Sequence, residues 1–300
     1  MPLLPRQKLF SPPDFESVKA RLLTHLEHLV GDRDPYLASG KHRLVQQYVQ
    51  SDLASLGTVT CHTFTVRARQ HHNWILPLPG AATASPAAAP LIVGAHYDTV
   101  PGTPGADDNA SGLAVLLELA RYCAAQSLPR PVWFMAFDLE EYGLLGSRAY
   151  AESLQTSGQA VHLMLSLEML GYCDHTPHSQ NYPSPLLARL YPHRGNYVAL
   201  VGNPSTLWAM HRLRRHLRRA GAACEYLPVP NRGTTIAATR RSDHAAFWDC
   251  GYRALMVTDT AFLRNPHYHQ PSDRLETLDL DFMTRICLGL MTGLAATVGC

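Results

Sequence analysis

Short apolar runs alternate along this chain with stretches whose apolar residues return every three or four positions, and that alternation restricts its fold severely. Val18, Leu22, Leu26 and Val30 predict a helix over 15–30. Val45, Tyr48, Val49, Leu53 and Leu56 predict a second over 43–56, with Gly57 as its stop. Residues 58–66 alternate and are β-branched, as a strand requires. Apolar runs at 91–95, 131–137, 161–167 and 254–258 predict buried strands. Helices are expected at 111–125, 146–154, 206–220 and 280–296. Strands alternating with helices predict an α/β fold: a mixed, mainly parallel central sheet with helices on both faces.

No repeat or linker divides the chain, so residues 1–300 are read as one domain, with 1–35 as an N-terminal arm and first helix. Residues 80–90 are rich in Ala and Pro and predict a surface loop. The stretch 172–196, with Tyr182, Tyr191, Pro183, Pro185 and Pro192, predicts a long loop. Long loops in compact domains are often functional, and this one follows Glu168 closely, so it is expected to wall a substrate pocket.

Composition removes several classes of function. A chain 46% hydrophobic and 17% charged is globular. Lys+Arg of 26 against Asp+Glu of 24 leaves no field that favours nucleic acid or an anionic membrane. The first ten residues hold no apolar core, so no secretory signal is expected. The run 286–299 contains Thr292 and Thr297 and reads as a last buried helix rather than a membrane span. Seven cysteines without a CxxC pair read as reduced thiols, which places the chain in the cytoplasm. Sixteen histidines justify a search for metal ligands.

In sheets of this kind functional residues gather at the carboxyl ends of strands. The run 91–95 ends in His96-Tyr97-Asp98, 131–137 in Asp138-Leu139-Glu140-Glu141, and 161–167 in Glu168. Between the first two lies Asp107-Asp108-Asn109, a carboxylate-bearing turn before a helix, and His267-Tyr268-His269 follows a further strand and loop. Each signal is weak alone, since a single His is usually structural and Glu-Glu usually opens a solvated helix. Their coincidence at strand ends suits zinc, and several carboxylates can hold two metals with one bridging.

The segments HYDTVPGTPGADDNASG (96–112), FDLEEYGLLGS (137–147), LEMLGY (167–172), SDHAAF (242–247) and YHQPSD (268–273) occur in this order. Together they resemble the co-catalytic zinc aminopeptidases, the zinc-exopeptidase fold that includes bacterial leucyl aminopeptidases and, as relatives, glutaminyl cyclases. The resemblance implies two Zn2+ per chain, one held by His96, Glu168 and Asp108 and the other by Glu141, His269 and Asp108. It implies Asp98 behind His96, Glu140 as general base, and Tyr268 as donor to the oxyanion. Asp107 matches a looser position, and Asp243 is expected to buttress Glu168. The implied reaction is release of N-terminal residues from peptide substrates through a hydroxide shared by the metals.

Arg241 and Arg232 are candidates for gripping a peptide carboxylate. His211 to Arg219 reads as the solvated side of an amphipathic helix, and His71-His72 and His244 as structural. Three alternatives stay open: a glutaminyl-cyclase-like acyltransferase, a carboxypeptidase or N-acyl amide hydrolase on the same scaffold, and an inactive binding module. Oligomeric state is not encoded in any motif.

Overall fold

The computed structural model describes residues 13–81 and 88–298. In chain order its elements are α1 (Phe15–Leu29), α2 (Ser39–Ala54), β1 (Thr60–Val66), β2 (Arg69–Leu78), β3 (Leu91–His96) and α3 (Gly112–Ala124). There follow β4 (Val132–Phe137), α4 (Leu145–Thr156), β5 (Leu163–Glu168), α5 (Pro185–Leu190), β6 (Val198–Gly202) and α6 (Leu207–Arg219). The chain closes with β7 (Cys224–Pro228), α7 (His244–Asp249), β8 (Ala254–Thr258) and α8 (Leu280–Val298).

One eight-stranded sheet runs in the order β1-β2-β4-β3-β5-β8-β6-β7. Its centre, β4-β3-β5-β8, is parallel throughout, and antiparallel pairings lie to either side: β1 with β2, β2 with β4, and β6 with β8. Alternate side chains divide between two cores, as the pleat dictates. Leu91, Val93, Val132, Phe134, Leu163 and Leu165 face α1, α3, α6 and α8, while Ile92, Met135, Met164 and Met256 face Tyr150, Ala151, Phe247 and Trp248 of α4 and α7. Covered on both faces, the parallel strands end their carboxyl termini along one edge, and that edge positions the site.

Three strands escaped the sequence pattern, each for a visible reason. In β2 the inward positions are partly polar: His71 and Asn73 are buried, bonded to Asp138 and to the Gly146 carbonyl. β7 ends in Pro228 and lies at the sheet margin, and β6 is a five-residue run directly after the long loop. That loop is itself interrupted by α5, whose Pro185 occupies the first helical turn behind the capping Ser184. The expected arm at 1–12 and residues 82–87 of the 80–90 loop lie outside the described residues. Among the described residues no helix is long and apolar enough to cross a membrane.

Beneath the edge sits Arg33, fully buried and, among the described residues, without a carboxylate in ion-pair contact. Its guanidinium donates to the carbonyls of Leu29, Gly31, Tyr97, Pro104 and Gly105 at 2.8–3.1 Å. Burial lowers its pKa to about 10, against the pull of Asp273, Asp108 and Asp98. It thus ties α1 to the loop that carries the aspartate pair. Gly105 opens that turn at φ +59°, where a Cβ would strike the Asp108 carbonyl and the Thr99 methyl.

Candidate metal centre

Four strand ends deliver the acidic and imidazole groups. β3 ends on His96, β5 ends on Glu168, and β4 leads through Asp138 and Leu139 into Glu140 and Glu141. The loop after β8 returns His269 to the same edge. Leu139 and His269 both sit at φ 56°, left-handed backbone that is uncommon outside glycine, Leu139 directly before Glu140 and His269 itself a ligand-type residue.

These groups form two clusters sharing a border. Ligand atoms of His96, Glu140 and Glu168 lie within 4.8 Å of one another, as do those of Asp108, Glu141 and His269. Asp108 faces both: Oδ1 is 3.3 Å from His96 Nε2, and Oδ2 is 3.2 Å from His269 Nε2. His96 Nε2 lies 3.6 Å from Glu168 Oε1, and His269 Nε2 lies 3.3 Å from Glu141 Oε2. Among the described residues His96 Nδ1 and Nε2, His269 Nε2 and Glu141 Oε1 are buried without a hydrogen-bond partner. Unsatisfied buried polar atoms are costly, and three of these four, all but His96 Nδ1, which faces Asp98, lie where a shared ligand would satisfy them.

The electrostatics agree. Burial drives Glu140 well above the carboxylate range, reinforced by Glu168 and Glu141, and lifts Glu141 to about 7 with help from Asp108. Burial opposes charge on the imidazoles, yet the carboxylates prevail and hold His269 at about 10 and His96 well above its ordinary value. Asp108 is buried too, but the His269 and His96 imidazoles facing its two oxygens keep its pKa depressed. The raised carboxyls of Glu140 and Glu141 and the imidazoles facing Asp108 both work to offset the acidic charge of the site. A pair of divalent cations would do so through the same lone pairs, and the donor set of imidazole nitrogen and carboxylate oxygen fits zinc.

A second ring of residues aims the first. Asp98 lies 3.4 Å from His96 Nδ1 and accepts from the amides of Glu140 (3.1 Å) and Glu141 (3.2 Å). Asp273 accepts from the amides of Asp107 (2.9 Å) and Asp108 (3.1 Å), fixing the turn whose Asp108–Asn109 peptide is cis. Asp107 faces away, accepting from Gly171 N, Ser111 and Asn265. Asp138 accepts from His42 (2.8 Å) and His71 (2.9 Å) at the start of the Glu140 turn. Glu168 is held by the Ser242 hydroxyl at 2.7 Å. Asp243, expected to buttress the Glu168 side of the site, is a buried neighbour whose carboxyl is lifted to about 7 by burial, with Glu168 adding to the rise, and it makes no hydrogen bond to Glu168 among the described residues. Arg33, Asp273 and Ser242 were not singled out in the sequence, although Asp273 and Ser242 lie within recognised segments.

Two cavities meet here. A cleft is lined by Asp108, Glu140, Glu141, Arg240 and others, and it shares Glu168, Arg241 and Tyr268 with a mainly apolar chamber rich in aromatic rings. Gln180, Tyr182 and Tyr191 from the long segment wall the chamber, with Tyr197, Tyr226 and Phe262. Tyr268 stacks on His269 with ring centroids 3.7 Å apart. Arg240 is neutralised by Asp249, at 2.7 Å, whereas Arg241 lies over the Phe262 ring and has no carboxylate partner among the described residues. Arg232 lines neither cavity: its guanidinium donates to the Asp249 carbonyl, so the structure does not bring it to the site.

At the carboxyl edge of a parallel α/β sheet, two imidazole–carboxylate clusters meeting at one aspartate offer the ligand types that a metal-dependent hydrolase uses. The chain belongs to peptidase family M28, whose profile matches residues 73–291. It is 40% identical over 263 residues to the uncharacterized protein YfbL of Escherichia coli, covering 82% of this chain and 77% of that one. It is 26% identical to leucine aminopeptidase 1 of Fusarium vanettenii over 80% of this chain, but it spans only 59% of that protein's length. Among solved structures it resembles the LapA aminopeptidase of Legionella pneumophila (TM-score 0.69, 17% identity, 98% of this chain and 78% of that one). It also resembles a glutaminyl cyclase of Porphyromonas gingivalis (TM-score 0.65, 20% identity, 96% and 99%). At those identities the likeness is one of fold.

Proposed function

We propose that the chain is a two-zinc aminopeptidase that releases N-terminal residues from peptides. The observation that carries this reading is Asp108, which turns one oxygen to each of two facing imidazoles. His96, Asp108 and Glu168 would hold one zinc, and Asp108, Glu141 and His269 the other. Zinc bound there supplies a Lewis acid and lowers the pKa of water. Glu140 takes the proton from the attacking water and delivers it to the leaving amine, a role that a buried carboxyl with a raised pKa suits. The Tyr268 phenol, kept protonated by burial, donates to the oxygen of the tetrahedral intermediate. Asp98 holds the His96 tautomer and the Glu140 amide together.

The aromatic chamber takes a large apolar N-terminal side chain, and Arg241 at the junction of the cavities takes a carboxylate of a short peptide. The six described cysteines are free, and the exposed Cys61 among them favours a reducing compartment such as the cytoplasm.

The test is activity toward aminoacyl anilides before and after chelation. Chelation should abolish hydrolysis and zinc should restore it; undiminished activity would contradict the reading. Formation of pyroglutamate from N-terminal Gln, with one metal per chain, would replace it with the cyclase alternative. Glu140→Gln should retain both metals while kcat falls about 10²–10⁴-fold. Loss of zinc in that variant would show that Glu140 is a ligand.

A further inference from the structure

A third group of ligand-type side chains lies away from the strand edge's two clusters. Cys173, His175 and Asp279 bring a thiol, an imidazole and a carboxylate within 4.8 Å of one another. We propose that these three residues form a separate cation site, selective for zinc or a similar borderline metal, which staples the substrate-pocket wall to α8.

The spacing is the first argument. Cys173 Sγ stands 3.5 Å from His175 Nε2. A tetrahedral ion with Zn–S of about 2.3 Å and Zn–N of about 2.0–2.1 Å sets its sulfur and nitrogen about 3.6 Å apart, so the pair already spans one edge of a zinc tetrahedron. The other ring nitrogen of His175 lies 3.2 Å from the Asn196 side-chain amide, which, turned over about its last bond, accepts from Nδ1–H and leaves the Nε2 lone pair facing the thiol. Asp279 gives one carboxylate oxygen, Oδ1, to the amide of Phe282 at the start of α8. Its other oxygen remains to bind an ion.

The scaffold is fixed before any ion arrives. Asp279 N donates to the Gly171 carbonyl and Asp174 N to the Gly195 carbonyl, both at 2.8 Å, so the segments carrying all three ligands and Asn196 are joined by main-chain bonds. The local field also favours a cation. Burial raises the Cys173 thiol to about 11, and Asp279, Asp259 and Asp174 add to that against Arg264 alone. Binding therefore releases the thiol proton, and affinity rises with pH. Thiolate and imidazole select against magnesium and calcium. With three protein ligands and partial exposure the fourth position is left to water, which makes occupancy reversible.

The consequence lies seven residues further on. The segment that leaves Cys173 and His175 continues to Gln180 and Tyr182 on the wall of the aromatic chamber. An ion joining it to α8 would hold that wall in place.

The site is tested by stripping the full chain with chelator, reloading it with Co2+, and recording sulfur-to-cobalt charge transfer in the near ultraviolet beside a cobalt count. The strand-edge clusters contain no cysteine and cannot supply that band, so the result is independent of the aminopeptidase reading. Wild type should show the band and bind one more cobalt than Cys173→Ser, which should lack it. His175→Ala and Asp279→Asn, the latter retaining an oxygen to cap α8, should each weaken the cobalt-dependent band at least tenfold. Added Zn2+ should slow amide exchange across residues 173–182 in wild type and leave Cys173→Ser unchanged. A band that persists in Cys173→Ser, as Cys61 beside His72 at 3.4 Å could give, overturns the proposal. So does the absence of any band, or an equal cobalt count in the two proteins.

Discussion

At the scale of single residues the two neighbouring aspartates divide the labour. Asp108 sits between two imidazoles, whereas Asp107 is turned into the protein and satisfies Gly171, Ser111 and Asn265. Asp108→Ala should weaken both metal sites together, because a bridging carboxylate neutralises both cations. Metal analysis after dialysis should find both equivalents reduced, and loss of only one would place Asp108 on a single metal. Asp107→Ala should keep its metals but lose about 1–3 kcal/mol of stability, the cost of leaving buried donors unpaired, read as a lower urea midpoint. The groups that meet at the strand edge were legible in the sequence because chemistry ties them to strand ends and to five ordered segments. Ser242 and Arg33 were not, because their role is to hydrogen-bond groups distant in sequence, and no local pattern encodes that.

Among the elements, the contact of α1 with α3 depends on one buried carboxylate. Glu118 of α3 receives Arg21 Nε at 3.0 Å, Arg121 at 2.7 Å and the His25 ring at 3.5 Å. Burial resists its ionisation, but hydrogen bonds from His25, Arg121 and Arg21 prevail and hold the carboxyl at about 2. A folded pKa below the ordinary value of about 4.3 stabilises the fold above that value and loses its effect as pH falls toward 2. Urea midpoints measured at pH 7 and pH 3 should therefore differ less in Glu118→Gln than in wild type. An equal difference in both proteins would remove Glu118 from the acid sensitivity. Element existence was legible wherever apolar residues followed a single period. It failed in β2, where His71 and Asn73 point inward to serve the Glu140 turn, and in α5, where Pro185 marks a helix start and was counted as loop composition.

For the whole molecule, the sheet's two halves serve different purposes. The parallel centre presents the metal-type clusters, and the β6–β7 margin, with the segment that follows β5, builds the aromatic chamber beside them. Parallel order could be anticipated from alternating strands and helices, and a pocket wall from the long stretch 172–196, whereas the share of the wall given by β6, β7 and Phe262 could not, since those residues come from scattered elements. Ala199 of β6 lines the chamber, so Ala199→Leu should reduce kcat/KM for a Phe-anilide at least about tenfold more than for an Ala-anilide. Equal reductions would mean the side chain binds elsewhere. The central claim, two cations joined by Asp108, is tested most directly by anomalous scattering at the zinc edge from crystals of the zinc-loaded chain. The account predicts two peaks about 3.5–4 Å apart, with an Asp108 oxygen about 2.0–2.2 Å from each. A single peak, or a pair bridged by any other residue, would contradict it.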